Sequence, residues 1–218
     1  MNTAEAAQVV IETITAMAGE GRPLMQRVLP EEDVHFWKHY PEKDARDRDT
    51  KSRWYYHVHA PGQRDEDEHG HFHLFLHRTQ LPEGLEPQVW PPQGEDAKAH
   101  VTHIAGLSIN HQGIPRAWFM TNRFVTNEFL YPADVMIENL SDYMVDNTAE
   151  DSLVNRFVTA MVALYREEIA ELLVERDAAL ADLVQEHGVA GYEKASGAEV
   201  LAQIPIDLDA KIKAIEFE

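Results

Sequence analysis

Arg53–Ala60 reads RWYYHVHA and His69–Arg78 reads HGHFHLFLHR, and these two runs decide the fold. Side chains on a strand alternate between its faces, so odd and even positions separate. Trp54, Tyr56 and Val58 fall on one face of the first run, with Tyr55, His57 and His59 on the other. Phe72, Leu74 and Leu76 fall on one face of the second, with His69, His71, His73, Phe75 and His77 on the other. The polar stretch PGQRDEDE, residues 61–68, joins them, and two period-2 runs joined this way predict a β-hairpin. Both apolar sets must face the core, which puts His57, His59, His69, His71, His73 and His77 together on the opposite face. A one-residue slip would mix the sets, so the hydrophobic pattern fixes the register.

Downstream, His100–Asn110 (HVTHIAGLSIN) and Arg116–Phe129 (RAWFMTNRFVTNEF) predict a second hairpin around HQGIP, residues 111–115. Between the hairpins, Leu81–Ala99 holds four prolines and two glycines and reads as an irregular excursion able to act as a lid. Upstream, Val9, Val10, Ile14 and Met17 keep helical spacing over Ala4–Ala18, and Glu31–Tyr40 predicts a second short helix before Pro41. Glu42–Ser52 reads as a charged loop. From about Glu150 the pattern is helical, with Asp151-Ser152 as N-cap and His187-Gly188 as stop. A short helix over Ala198–Gln203 and a segment near Asp209–Ile215 complete the chain. The expected fold is α+β: an antiparallel sheet or small barrel of at least four strands, flanked by N-terminal helices and a long C-terminal helix. Residues 1–149 would hold the N-terminal helices and the β core, and 150–218 a helical segment packed on it, as one structural domain.

The 218 residues carry a net charge of −19 with 44% hydrophobic content, enough for an ordinary core. Such acidity repels nucleic-acid phosphates and anionic membranes, so neither is an expected partner. No apolar run reaches the roughly 18–20 residues of a membrane span, and the start lacks a basic leader, so the expected location is cytoplasmic. The absence of cysteine excludes disulfides, thiolate nucleophiles and cysteine-held metal clusters. A metal would be held by imidazole and oxygen, a set that suits Fe, Cu or Zn.

Cross-strand neighbours on one face stand roughly 4.5–5.5 Å apart at Cβ. His57, His59, His71 and His73 are therefore the primary candidate ligands of one ion, with His69, His77 and His103 secondary. The competing account is a solvated histidine face paired with local carboxylates or sensing pH. Occupancy of an imidazole site should fall below a pH of about 6.5, and carboxylates such as Glu66 or Glu68 are the alternative ligands if it does not. HVH at 57–59, followed by Glu66 and Gly70, is similar to the first cupin motif, but the spacing to the acid is longer and the second motif is absent. HFH at 71–73 resembles the histidine pair of α-type carbonic anhydrases, from which the chain departs in length and helical content. Neither resemblance assigns residue roles. HIAGLSIN and WFMTNRFVTNE resemble an uncharacterised bacterial family of unknown function, which implies no chemistry.

Other patterns are weaker. His35 and His39 share a helical spacing without the Glu of a zincin motif, and core packing of HFWKHY accounts for them. Arg116 and Trp118 share a strand face with Met120 and Asn122 and are the candidate contacts for a small-molecule substrate; a structural ion pair of Arg116 or Arg123 is the competing account. His111 and His187 read as incidental. The apolar stripe of the C-terminal helix leaves a homodimer open. Three function classes follow: a metal-dependent enzyme with a mononuclear histidine site, oxidoreductase or oxygenase before hydrolase; a non-catalytic metal- or heme-binding protein for storage, delivery or sensing; and an interaction module with an incidental histidine face.

Overall fold

The computed structural model describes residues 1–31, 33–193 and 199–215. Six strands form one antiparallel sheet in sequence order: β1 (Tyr40–Arg46), β2 (Arg53–His57), β3 (Glu68–His77), β4 (Val101–Asn110), β5 (Pro115–Thr121) and β6 (Val200–Pro205). The sheet is open, not a barrel, since β1 and β6 each pair on one side only. Helix α1 (Thr3–Gly19) starts on a capping box, with the Asn2 side chain accepting from the Glu5 amide while Glu5 reaches back to the Asn2 amide. Helices α2 (Leu24–Val28), α3 (Arg123–Thr126), α4 (Ala133–Asn139), α5 (Ser152–Leu164), α6 (Arg166–His187) and α7 (Leu208–Ile215) follow. Among the described residues, no helix is long and apolar enough to cross a membrane.

The β2–β3 register sets Trp54 opposite Leu74, Tyr55 opposite His73, Tyr56 opposite Phe72 and His57 opposite His71. Trp54, Tyr56, Phe72 and Leu74 form one core with Leu107, Trp118 and Met120 of the sheet and with Val10 of α1, Phe157 and Met161 of α5, and Leu172 and Leu173 of α6. Within it the Trp54 indole donates to Asn155 Oδ1 at 3.0 Å. The opposite face holds the small cluster Tyr55, Phe75 and Val101, together with the histidines. Covering one face with helices thus leaves the other for polar chemistry.

Several expectations need correction. Residues 33–39 form an irregular segment with a turn at Phe36–Trp37 leading into β1 rather than a helix, and the second helix lies earlier, at Leu24–Val28. Strand β1 occupies what reads as charged loop, because an edge strand needs only one neighbour and tolerates the charges of YPEKDAR. The strand from Arg116 stops at Thr121 and gives way to α3. The long C-terminal helix is present as α6, but the helical run from Glu150 divides at Tyr165, whose φ of −108° and ψ of 26° leave the helical region, so α5 precedes it as a separate helix. The expected helix at 198–203 is strand β6 from Val200 onward; Ala198 lies outside the described residues. The Pro-rich segment lines a cavity with His77 and His100 rather than covering His57, His71 and His73, and further on it bonds along Leu130 through Gln88 and Val89 and packs Trp90 on Phe129. Trp37, His39 and Arg64 stand over the histidine face instead.

Candidate metal centre

Two β-bulges build the site. At the start of β3, Glu68 faces Asn110 and Gly70 faces Ile109, so His69 is the extra residue of a bulge. The bulge resets the parity, bringing Glu68 onto the histidine face and sending His69 to the other side, where its Nδ1 meets the Tyr56 hydroxyl at 2.8 Å. Gly70 permits the close approach: a Cβ there would lie 2.4 Å from the His57 carbonyl oxygen and 2.7 Å from the Tyr56 hydroxyl. The second bulge lies in β4, where Ala105 faces Leu74 and His103 faces Phe75. It turns the His103 imidazole toward the histidine face.

There, His57, His71 and His73 form a buried group in which one ring nitrogen from each lies within 4.8 Å of the others. His57 Nε2 is 2.7 Å from His71 Nε2 and 3.1 Å from the Nε2 of His59, which sits two residues beyond on the chain leaving β2. Two imidazole nitrogens on one tetrahedral ion stand about 3.3 Å apart, given metal–nitrogen distances of about 2.0–2.1 Å. A ring nitrogen offers one hydrogen or one lone pair, so His57 Nε2 serves one of its two neighbours at a time. A cation at their meeting point would take every lone pair at once.

The outer nitrogens are held. His71 Nδ1 donates to Glu68 Oε1 at 2.8 Å, and Glu68 also accepts from Ser108 Oγ at 2.6 Å and Arg64 Nε at 3.1 Å. A carboxylate only accepts, so Glu68 places the His71 hydrogen on Nδ1 and leaves the Nε2 lone pair facing His57. His73 Nδ1 lies 3.0 Å from His103 Nε2, whereas His73 Nε2 is buried with no hydrogen-bond partner. His103 continues to the Thr121 hydroxyl at 3.5 Å.

Burial, helped by the neighbouring imidazoles, keeps these rings neutral. It lowers His57 to about 2 and, with the charge of Arg176, lowers His103 to about 3, while His73 falls well below its ordinary value. His71 is also lowered by burial, against the opposing pull of Glu68. Burial works to raise Glu68, but the His71 hydrogen bond and Arg64 outweigh it and hold this carboxyl well below the usual range. His59, half-buried, is lowered to about 4 by burial and by the nearby His71 and Arg64. Neutral imidazole is the form that ligates metal.

The walls are aromatic. Phe119 stands edge-on to His71 at 4.9 Å and lies over Gly106, where a Cβ would come within 2.2 Å of the ring. Tyr55 flanks His73 at 5.1 Å and stacks on His39 at 3.7 Å. Trp37 packs 4.1 Å from His59 and holds a φ of 65°, a left-handed conformation rare for a bulky residue. Its amide donates to the Val58 carbonyl at 3.0 Å, which fixes it there.

The remaining candidates lie elsewhere. His77 caps the turn after β3, its ring accepting from the Thr79 amide, and is 6.2 Å from His100. His35 and His39 share no helix, and His111 neighbours His69 at 5.4 Å. Trp118 is fully buried in the helix-side core, where it cannot meet a substrate at the histidines. Arg116 is exposed and paired with Asp67 at 2.9 Å, and Arg123 is buried against Glu193. Sequence reading missed Glu128, which is buried, accepts from the His103 amide and is raised to about 7 by burial. It also missed Glu68 as the partner of His71; the glycine inside HGH is the signal that marks the bulge.

The fold and site define a class: an open antiparallel sheet, helix-covered on one face and bearing a buried three-imidazole group on the other. The chain belongs to the family described as a domain of unknown function (DUF6969), whose pattern matches residues 4–206. Among curated proteins and among solved structures, nothing matches it.

Proposed function

We propose that the protein is a metal-dependent enzyme whose mononuclear transition-metal ion is held by the Nε2 atoms of His57, His71 and His73. One observation carries the reading: His73 Nε2 is buried without a partner beside two imidazoles that already converge on each other. A buried ring nitrogen left without a partner costs roughly 1–3 kcal/mol, and a shared cation removes that cost when the nitrogen presents its lone pair. Three neutral ligands leave a coordination position open, which His59 or a substrate can approach. Fe or Cu there would support oxidoreductase or oxygenase chemistry on a small molecule, and Zn would activate water. Storage is less well supported, because the described residues contain one such group rather than several.

Metal content of protein purified without an affinity tag tests this. The expected result is one ion per chain, lost in His73→Ala and kept in His187→Ala. Absence of any retained ion, or equal loss from both variants, would overturn it.

A further inference from the structure

We infer that the cavity of about 570 Å³ beside His59 is the substrate chamber of this centre, and that it takes a small uncharged or cationic organic molecule with an apolar body and a donor atom for the ion. The inference rests on the metal reading above and adds the route of approach and the chemistry of the ligand.

The route follows from what is closed. His73 and His103 are buried against the sheet, and Tyr55 and Phe119 stand at the flanks. His59 and Glu68 both line the cavity while touching the centre, His59 against His57 and Glu68 against His71. A second cavity of about 300 Å³ also reaches Glu68, but no histidine lines it. The larger one falls within the roughly 300–1,000 Å³ typical of small-ligand pockets.

The chemistry follows from its walls. Val34, Phe36, Val58 and Pro61 give an apolar side, and Phe36 is left 52% exposed. An exposed phenylalanine beside a concave site offers surface for a ligand to cover. Asp65 and Glu66 line the same space, and Arg64, the lysine-or-arginine charge there, is already committed to Glu68. Together with the net charge of −19, this disfavours an anion and admits a neutral or cationic molecule.

The test uses the full chain loaded with Co(II), whose visible spectrum reports ligand exchange, titrated with imidazole and with 4-phenylimidazole. The phenyl compound should bind at least tenfold tighter, the order expected from burying one ring. Phe36→Ala should remove most of that preference and leave imidazole binding unchanged; being exposed, Phe36 is dispensable for folding. The double variant Asp65→Asn with Glu66→Gln should tighten benzoate severalfold and leave 4-phenylimidazole unaltered. Stoichiometric cobalt with no preference for the phenyl compound, or a preference that survives Phe36→Ala, overturns the chamber alone. Benzoate binding unmoved by the double variant overturns the charge assignment. Failure of cobalt to bind overturns the metal reading and the chamber with it.

Discussion

Glu128 and the buried histidines oppose each other in their response to pH. An unfolded histidine titrates near 6.5, but burial holds His57 near 2 and His103 near 3 in the fold. Below about pH 6.5 the unfolded chain therefore binds protons that the folded chain refuses. Their contribution to stability is complete above that value and falls, at up to about 1.4 kcal/mol per pH unit for each ring, as acid is added. Glu128 behaves oppositely. Raised to about 7, it holds its proton when folded and loses it when unfolded, so its contribution is present below the ordinary carboxyl pKa and lost as pH rises through 7. Glu128→Gln keeps the acceptor for the His103 amide without the buried charge. Denaturant melts should find it more stable than the parent at pH 8, on the order of 1–3 kcal/mol, with the gain shrinking through pH 5 and gone below about pH 4. A variant equally or less stable at pH 8 would mean the carboxylate is paired there. The same burial overturns the expectation that an imidazole site empties below about pH 6.5: with His57 and His73 lowered by burial, proton competition sets in well below the value of a free imidazole, so occupancy measured by dialysis should persist at pH 6 without carboxylate ligands.

The strands show what sequence can and cannot reveal. Parity alone places Tyr55, His57, His71 and His73 on one face, because apolar partners on the other leave a single workable register. Parity also puts His69 on that face and leaves Glu68 off it, and both assignments reverse at the bulge before Gly70. Bulges follow from local backbone geometry that alternation does not encode, though a glycine inside a strand hints at one. Edge strands β1 and β6 escaped for a different reason: half-exposed and paired on one side, they carry no long apolar run. The break at Tyr165 has no Pro or Gly to announce it. At Gly106 the element makes a sharp prediction. An added methyl would drive Phe119 toward His71 and His73, so Gly106→Ala should cost about 1–3 kcal/mol as overpacking and weaken metal binding as well. A neutral melt with unchanged metal affinity would show that Phe119 has room to move.

For the molecule as a whole, an ion bound only by the folded chain stabilises it by about 2.7 kcal/mol at a hundredfold excess over Kd. For a chain of this size that corresponds to roughly 5–10 °C in Tm, and His71→Ala should abolish the metal-dependent part. The gain would not be shared evenly. His57 lies on β2 and His71 and His73 on β3, and beyond β2 lies only the edge strand β1, while β4 and β5 are buried between neighbours and helices. An ion there would rivet the sheet margin to its middle. Without it, β1 and β2 can peel away as a unit before global unfolding; with it, the ligands must let go first. Native-state amide exchange should therefore slow on metal addition at Tyr55, Tyr56 and His57 and stay unchanged along Ile104–Leu107, making the hairpin's margin the part of the protein that senses whether the ion is present.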